Sequence, residues 1–395
     1  MADRIRSSDR SRSWPAPAGT LADVSRPPAP YSPGPYSRAP YSRAPYSQAR
    51  YPPTPYPPAG PGRHVARRRA GPGRPRPVPR LTWLVAGLVV VVVLGVVVVT
   101  QTRQAANRSG LPWVSGVYPQ DGTPAGAAAF AAWRGRPLDV VDAWSARATW
   151  AQIIDPGWLY KRWLGQPYTM AFGVPMLPED VPGVSLSACA EGAYDAYWRE
   201  FGTVISSSGL GTSIIRLGWE FNGNWYVWDA TDPAVWARCW QQIVTSARTT
   251  APKLRWDWDV NRGVSAGLAN PVLAYPGNAY VSMIGVDSYD SWPAATTAAG
   301  WQKQLNGPQG LDYWLKFAKA HGKLLSVPEW GNVAIGSGAG GDDARYVTDI
   351  RAFFAAHAAE IAFECNFQGS QSTTGASYGP RTSVPAASAA YKAGF

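Results

Sequence analysis

Eight short apolar runs recur between Trp113 and Phe367, and most neighbouring pairs enclose a stretch with helical periodicity. The runs are "WVSGVY" (113–118), "LDVVDAW" (138–144), "YTMAFGVPM" (168–176), "SIIRLGWE" (213–220), "LRWDWDVN" (254–261), "VSMIGVDSY" (281–289), "KLLSVPEW" (323–330) and "IAFECNF" (361–367). Between them lie amphipathic segments such as "PAVWARCWQQIVTSAR" and "LDYWLKFAKAHG". Strand–helix alternation repeated eight times in under 300 residues predicts an α/β fold, a (β/α)8 or TIM barrel, over 111–395. The interval between the first two runs must take its helix from "PAGAAAFAAWRGR". A doubly wound open sheet is the competing topology, but no glycine-rich phosphate turn follows an early strand.

The segments before the barrel are of another kind. Residues 1–80 hold 15 Arg against 3 Asp, whereas the remaining 315 residues hold 22 basic and 23 acidic side chains. The chain's +11 charge therefore belongs to the tail, and a nucleic-acid reading of the folded part is excluded. Tyrosine recurs every fifth residue from Tyr31 to Tyr56 among prolines, with little apolar area to bury. The expectation is a disordered Pro/Tyr/Arg-rich tail that could dock a cytoplasmic partner. Leu81–Thr100 is uncharged over 20 residues, enough to span a bilayer. A transmembrane helix is expected over 81–101, with a linker over 102–110. Arginines crowd its upstream side, so the tail is read as cytoplasmic and the barrel as extracellular, held by an uncleaved signal-anchor in the cell membrane.

Three histidines and three cysteines are scattered without ligand spacing, so no metal site and no cofactor are expected, and carboxylates become the candidate chemistry. A disulfide between Cys189 and Cys239 is permitted outside the cell; two buried thiols are the alternative. Cys365 reads as a small apolar residue of the last strand.

Barrel enzymes carry their chemistry at the C-terminal ends of strands. Glu220 ends the fourth run, Asn261 the fifth, Asp287 and Tyr289 the sixth, and Glu329 the seventh. Alternation puts Arg216, Gly218 and Glu220 on one side, with Asp257, Asp259 and Asn261 likewise facing the lumen. Trp256 and Trp258 then face the helices. Arg216 is expected beneath the catalytic layer, paired with Asp257 or Asp287. Two carboxylates across a cleft are the minimum equipment for glycoside hydrolysis: one protonates the leaving oxygen, and the other attacks the anomeric carbon or activates water. Aromatic walls would keep Glu220 protonated, and a donor such as Tyr289 would keep Glu329 ionised. Sugar contact is assigned to rings on loops after strands: Trp225, Trp228 and Trp292, with Tyr118 beside them.

"RLGWEFNGNWYVW", "VDSYDSW" and "VPEWG", in that order, resemble glycoside hydrolase family 26 of the retaining barrel clan. The resemblance implies a β-mannanase-like endo-glycosidase acting on a β-linked polysaccharide of mannan or glucan type; the chain is expected to be a monomer. It implies Glu220 as acid/base, Glu329 as nucleophile, Tyr289 as the nucleophile's hydrogen-bond partner, Trp225 as a platform, and Asp287 and Asn261 as polar cleft residues. Trp219 stands where the family usually has histidine, and Asn366 and Phe367 where it usually has a tryptophan floor. Both departures bear on sugar recognition. A surface polysaccharide-binding or polysaccharide-export accessory protein is the alternative, although a lectin has no need of two strand-end acids.

Overall fold

The computed structural model describes residues 107–369 and 375–395. The eight runs form β1 (Ser115–Tyr118), β2 (Val140–Trp144), β3 (Thr169–Val174), β4 (Ile214–Leu217), β5 (Arg255–Asn261), β6 (Met283–Asp290), β7 (Leu324–Asn332) and β8 (Ile361–Phe367). Each pairs in parallel with the next, and β8 closes on β1 through the Ser115↔Glu364 to Tyr118↔Phe367 register. The sheet is thus a closed barrel, and the open-sheet alternative falls. The tail and the apolar segment 81–101 lie outside the described residues. Among the described residues no helix is long and apolar enough to cross a membrane.

The interval between the first two strands supplies α1 (Pro124–Arg134), and local chemistry explains it. Thr123 caps the first turn by accepting from the Gly126 N–H, proline occupies the first helical position, and Gly135 ends the helix at φ 80°. The other helices are α2 (Trp150–Ile154), α3 (Gly157–Trp163), α4 (Leu186–Ala190), α5 (Asp195–Ser207), α6 (Pro233–Arg248), α7 (Ala298–Asn306), α8 (Leu311–Ala320), α9 (Ala344–Ala356) and α10 (Pro385–Gly394). Alternation sorts the strands as expected. On β5, Trp258 packs outward against Phe221, Tyr275, Trp314 and Phe317, while Asp257 and Asp259 point inward and are fully buried. Residues 107–110, expected as linker, already bind the barrel: Arg108 donates to the carbonyls of Leu138 and Pro167.

Cys189 of α4 and Cys239 of α6 are joined by a disulfide, and Cys365 is a buried free thiol in β8. The bridge closes a segment with a sequence separation of 50, which contains α5 and β4. Closing such a loop restricts the unfolded chain. Cys239→Ser is therefore expected to lower unfolding free energy by about 2–4 kcal/mol in chemical denaturation, with the slope showing a more open unfolded state.

Candidate active site

β4 ends at Leu217, three residues before Glu220, so a turn rather than the strand's pleat presents this acid. Gly218 lies at φ 55°, and a Cβ there would meet the Met176 sulfur at 2.6 Å, so only glycine fits. Glu220 itself takes φ 52°, a left-handed conformation that glutamate rarely adopts. The turn is held on both sides: the Glu220 N–H donates to the Asp259 carbonyl at 3.0 Å, and its own carbonyl accepts from Gly223 at 2.9 Å. Backbone strain at a position this firmly tied is typical of a functional site. The simple alternation through Gly218 and Glu220 does not hold, although the acid still arrives at the C-terminal mouth, partly exposed.

Glu329 lies within β7, where the register against β6 and β8 shifts. It is 6% exposed. Its Oε1 accepts from Arg216 Nη2 at 2.7 Å and its Oε2 from the Tyr289 hydroxyl at 2.7 Å. Both carboxylate oxygens are fixed by donors, and the Tyr289 proton is secure. Burial, followed by the charge of Glu329, holds that phenol well above its usual pKa.

Arg216 is the centre of the site, not a residue beneath it. Its guanidinium, fully buried, reaches Asp142, Asp259 at 2.6 Å, Asp287 at 2.8 Å and Glu329. Of its two expected partners only Asp287 pairs with it. Asp257 instead accepts from Ser326 Oγ at 2.8 Å, one layer deeper. Burial alone would disfavour the Arg216 charge, but the carboxylates, Asp142 first, more than offset this. One cation cannot neutralise four ionised carboxylates, so the lumen retains protons. Burial raises Asp142 and Asp287 well above the carboxylate range despite Arg216, and pushes Asp259 up to about 6.

Glu220 is also raised well above its ordinary pKa, first by loss of water, then by the charges of Glu329 and Asp259. A hydrogen bond from Trp225 acts in the opposite direction, favouring the ionised form.

The expected aromatic and polar contacts separate into two groups. Trp225 is 37% and Trp292 67% exposed, both on loops at the mouth. Gly223 and Gly338 leave room for them: a Cβ would meet the Trp225 ring at 2.5 Å and the Trp292 ring at 2.7 Å. Tyr118 is partly exposed and stacks on Phe367, ring centres 4.6 Å apart. Asn261 is partly exposed at the end of β5. By contrast, Trp228 is fully buried, stacked on Tyr226 and donating its indole N–H to the Trp219 carbonyl at 3.1 Å. Trp219, 3% exposed, donates to the Tyr226 hydroxyl. These two rings shape the loop that carries Glu220. Asp287 is closed from solvent by its pairing with Arg216 and offers no surface to the cleft.

Three contributors escaped the sequence reading. Asp142 and Trp144 stand two apart in "VDAW", the strand signature of a shared lumenal side, and both face Arg216. The Trp144 ring lies over Gly173, where a Cβ would strike it at 2.3 Å, and meets Tyr118 edge-on. Asn222 ties the acid's turn to β5 by donating to the Asn261 carbonyl and accepting from its N–H. Nothing in "FNGN" alone marks which of its asparagines does this.

A closed parallel barrel with carboxylates gathered at its C-terminal mouth is an arrangement that glycosidases share with other barrel enzymes. Residues 212–327 match the family model described as Glycosyl hydrolase family 26. The matched segment contains Arg216, Glu220, Asp287 and Tyr289. No curated protein matches the chain. Among solved structures, the barrel is similar to the modular endo-β-1,4-mannanase from Cellulomonas fimi at 16% identity and TM-score 0.50, covering 66% of this chain and 64% of that one. It is similar to the catalytic domain of the Bacillus sp. JAMB-750 endo-β-1,4-mannanase at 14% identity and TM-score 0.53, covering 73% and 87%. The Bacteroides ovatus β-mannanase matches at 13% identity and TM-score 0.50, covering 73% and 89%. At these identities the likeness establishes the fold alone. This chain spans less than two thirds of the length of the Cellulomonas fimi protein.

Removing the central cation tests the electrostatics. Arg216→Met leaves four buried carboxylates without a counter-charge and is expected to cost about 3–5 kcal/mol near neutral pH. Lowering the pH should restore part of that loss in urea unfolding, because protonation removes the repulsion.

Proposed function

We propose that this chain is a retaining endo-acting glycoside hydrolase that cleaves a β-linked polysaccharide of mannan or glucan type. The observation that carries the reading is the contrast between its two mouth glutamates. Glu329 is held at both oxygens by donors, an environment suited to an anion and to attack along a fixed line. Glu220 sits on a strained turn, short of water, with its proton held by burial and by Glu329. One is built as a nucleophile and the other as an acid.

In the first step a Glu329 oxygen attacks the anomeric carbon. The glycosidic C–O bond breaks, and Glu220 gives its proton to the leaving oxygen. In the second, Glu220, now ionised, takes a proton from water as the water oxygen attacks the same carbon. The bond to Glu329 breaks, and both side chains regain their starting states. Arg216 and Tyr289 keep their hold on the carboxylate that leaves and returns. Trp225, Trp292 and Tyr118 would offer ring faces to pyranose C–H groups around the bond to be cut. The family-26 likeness of the barrel supports mannan as the first polymer to test.

We further read Leu81–Thr100 as a single membrane anchor, with the arginine-rich tail in the cytoplasm, the barrel outside the cell, and the tail free to recruit a cytoplasmic partner. This part rests on the charge and apolar pattern of the sequence.

The test is a kinetic comparison on mannans and mixed-linkage glucans. Glu329→Gln should abolish turnover on every substrate. Glu220→Gln should lose about 10²–10⁴-fold on polysaccharide, yet retain the first step on aryl glycosides whose leaving group needs no proton. A polymer bound but never cut by the wild type would make the barrel a binding protein instead.

The pH profile follows from the same proton. Glu220 must be protonated to act as acid, and its pKa is raised, so polysaccharide cleavage should persist above the ordinary carboxylate range and decline as pH rises through the Glu220 value. That basic limb should vanish when Glu220→Gln is assayed on the activated aryl glycoside.

A further inference from the structure

The rim opposite the active site carries a charge pattern that catalysis does not use. Eight connections enter the strands at this N-terminal face: 107–114, 135–139, 164–168, 208–213, 249–254, 275–282, 321–323 and 357–360. In and beside them stand six at least partly exposed bases, Arg108, Arg136, Arg248, Lys253, Arg255 and Lys323. Hydrogen bonds to main-chain carbonyls hold five of these in place. Arg108 binds Leu138 and Pro167, Arg136 binds Ser109, Arg248 binds Ala279, Arg255 binds Thr212, and Lys323 binds Asn278. The same connections contain just two acids, and both are occupied. Asp139 accepts the N–H groups of Ser109 and Ser115, and Glu360 pairs with Lys319 and His357. Two leucines project from the same rim, Leu164 at 54% and Leu324 at 44% exposure. Positive charge around exposed aliphatic side chains is the composition of a surface that meets a lipid headgroup layer.

The path of the chain points to the same partner. Asn107 lies at this rim, and the apolar run ends at Thr100. Seven residue steps, at about 3.5 Å each when extended, place the rim no more than about 25 Å from the end of the run. We propose that the N-terminal face of the barrel rests on the anionic phospholipid headgroups of the bilayer, so that the catalytic mouth opens away from the membrane. This inference rests on the reading of Leu81–Thr100 as an anchor. It adds that the barrel is oriented by its own charges rather than swinging on a tether.

The experiment uses the full chain reconstituted into vesicles containing a headgroup spin-labelled lipid. A fluorophore is placed on Leu324→Cys, or on Ile335→Cys at the opposite mouth. Both sites are exposed, and the native free thiol Cys365 is buried. In vesicles with phosphatidylglycerol, the lipid label should quench the Leu324→Cys probe about threefold more than the Ile335→Cys probe. That excess should disappear in phosphatidylcholine alone, or on combining Lys253→Glu, Arg255→Glu and Lys323→Glu, because the attraction of these bases to an anionic surface is then lost or reversed. Flotation with the vesicles but equal quenching at both ends overturns the orientation and leaves the anchor standing. Stronger quenching at Leu324→Cys that ignores lipid charge and charge reversal overturns it too, since tether length alone would then place the face. Failure to float overturns the anchor and the orientation with it.

Discussion

One guanidinium organises the interior of this barrel. Arg216 is fully buried and meets carboxylates from four other strands: Asp142 of β2, Asp259 of β5, Asp287 of β6 and Glu329 of β7. Removing such charges from water is costly, and each pairing recovers part of that cost only if its geometry is fixed. The four acids therefore constrain the relative positions of the strands that carry them. They also set the height at which Glu329 stands, because the nitrogen that holds Asp287 and Asp259 also holds a Glu329 oxygen.

The same cluster links structure to proton inventory. An excess of carboxylates over cations cannot remain fully ionised in a dry lumen, so Asp142 and Asp287 keep protons well above their usual range. Glu220 feels this field from the edge. It is partly open to the mouth, yet its pKa is lifted by desolvation and by Glu329. Its proton affinity is therefore sensitive to the charge of Glu329. The aromatic lining adds to this: Trp144 lies against the arginine's face, with ring centre and Cζ 5.2 Å apart, and keeps solvent from that side.

Much of this was legible in the sequence. Eight apolar runs and the intervening helical periods specify a closed barrel, because each run supplies one buried strand and each interval one covering helix. Glu220 and Glu329 were legible as candidate acids, but neither ends its strand: Glu220 lies on a turn beyond β4, and Glu329 lies inside β7, buried and short of its end at Asn332. The reading failed where local pattern gives way to tertiary geometry. Glu220 reaches the mouth through two left-handed residues, which no alternation rule foresees. Trp219 and Trp228 look like sugar platforms on a loop, but the loop folds back and buries them against Tyr226. Asp287 looked like a cleft residue and is instead consumed by Arg216. Asp142 was overlooked because a single acid in an apolar run shows its purpose only when the arginine from β4 is placed opposite.

The most direct test of the central claim is to trap the intermediate. A 2-deoxy-2-fluoro glycoside with a good leaving group, matched to the polymer the enzyme cuts, should stall the reaction after the first step. Peptide mass spectrometry should then find one sugar on the peptide containing Glu329 and none on that containing Glu220. A sugar on Glu220 or on another carboxylate, or turnover with inversion at the anomeric carbon and no adduct, would contradict the assignment of Glu329 as the nucleophile held by Arg216 and Tyr289.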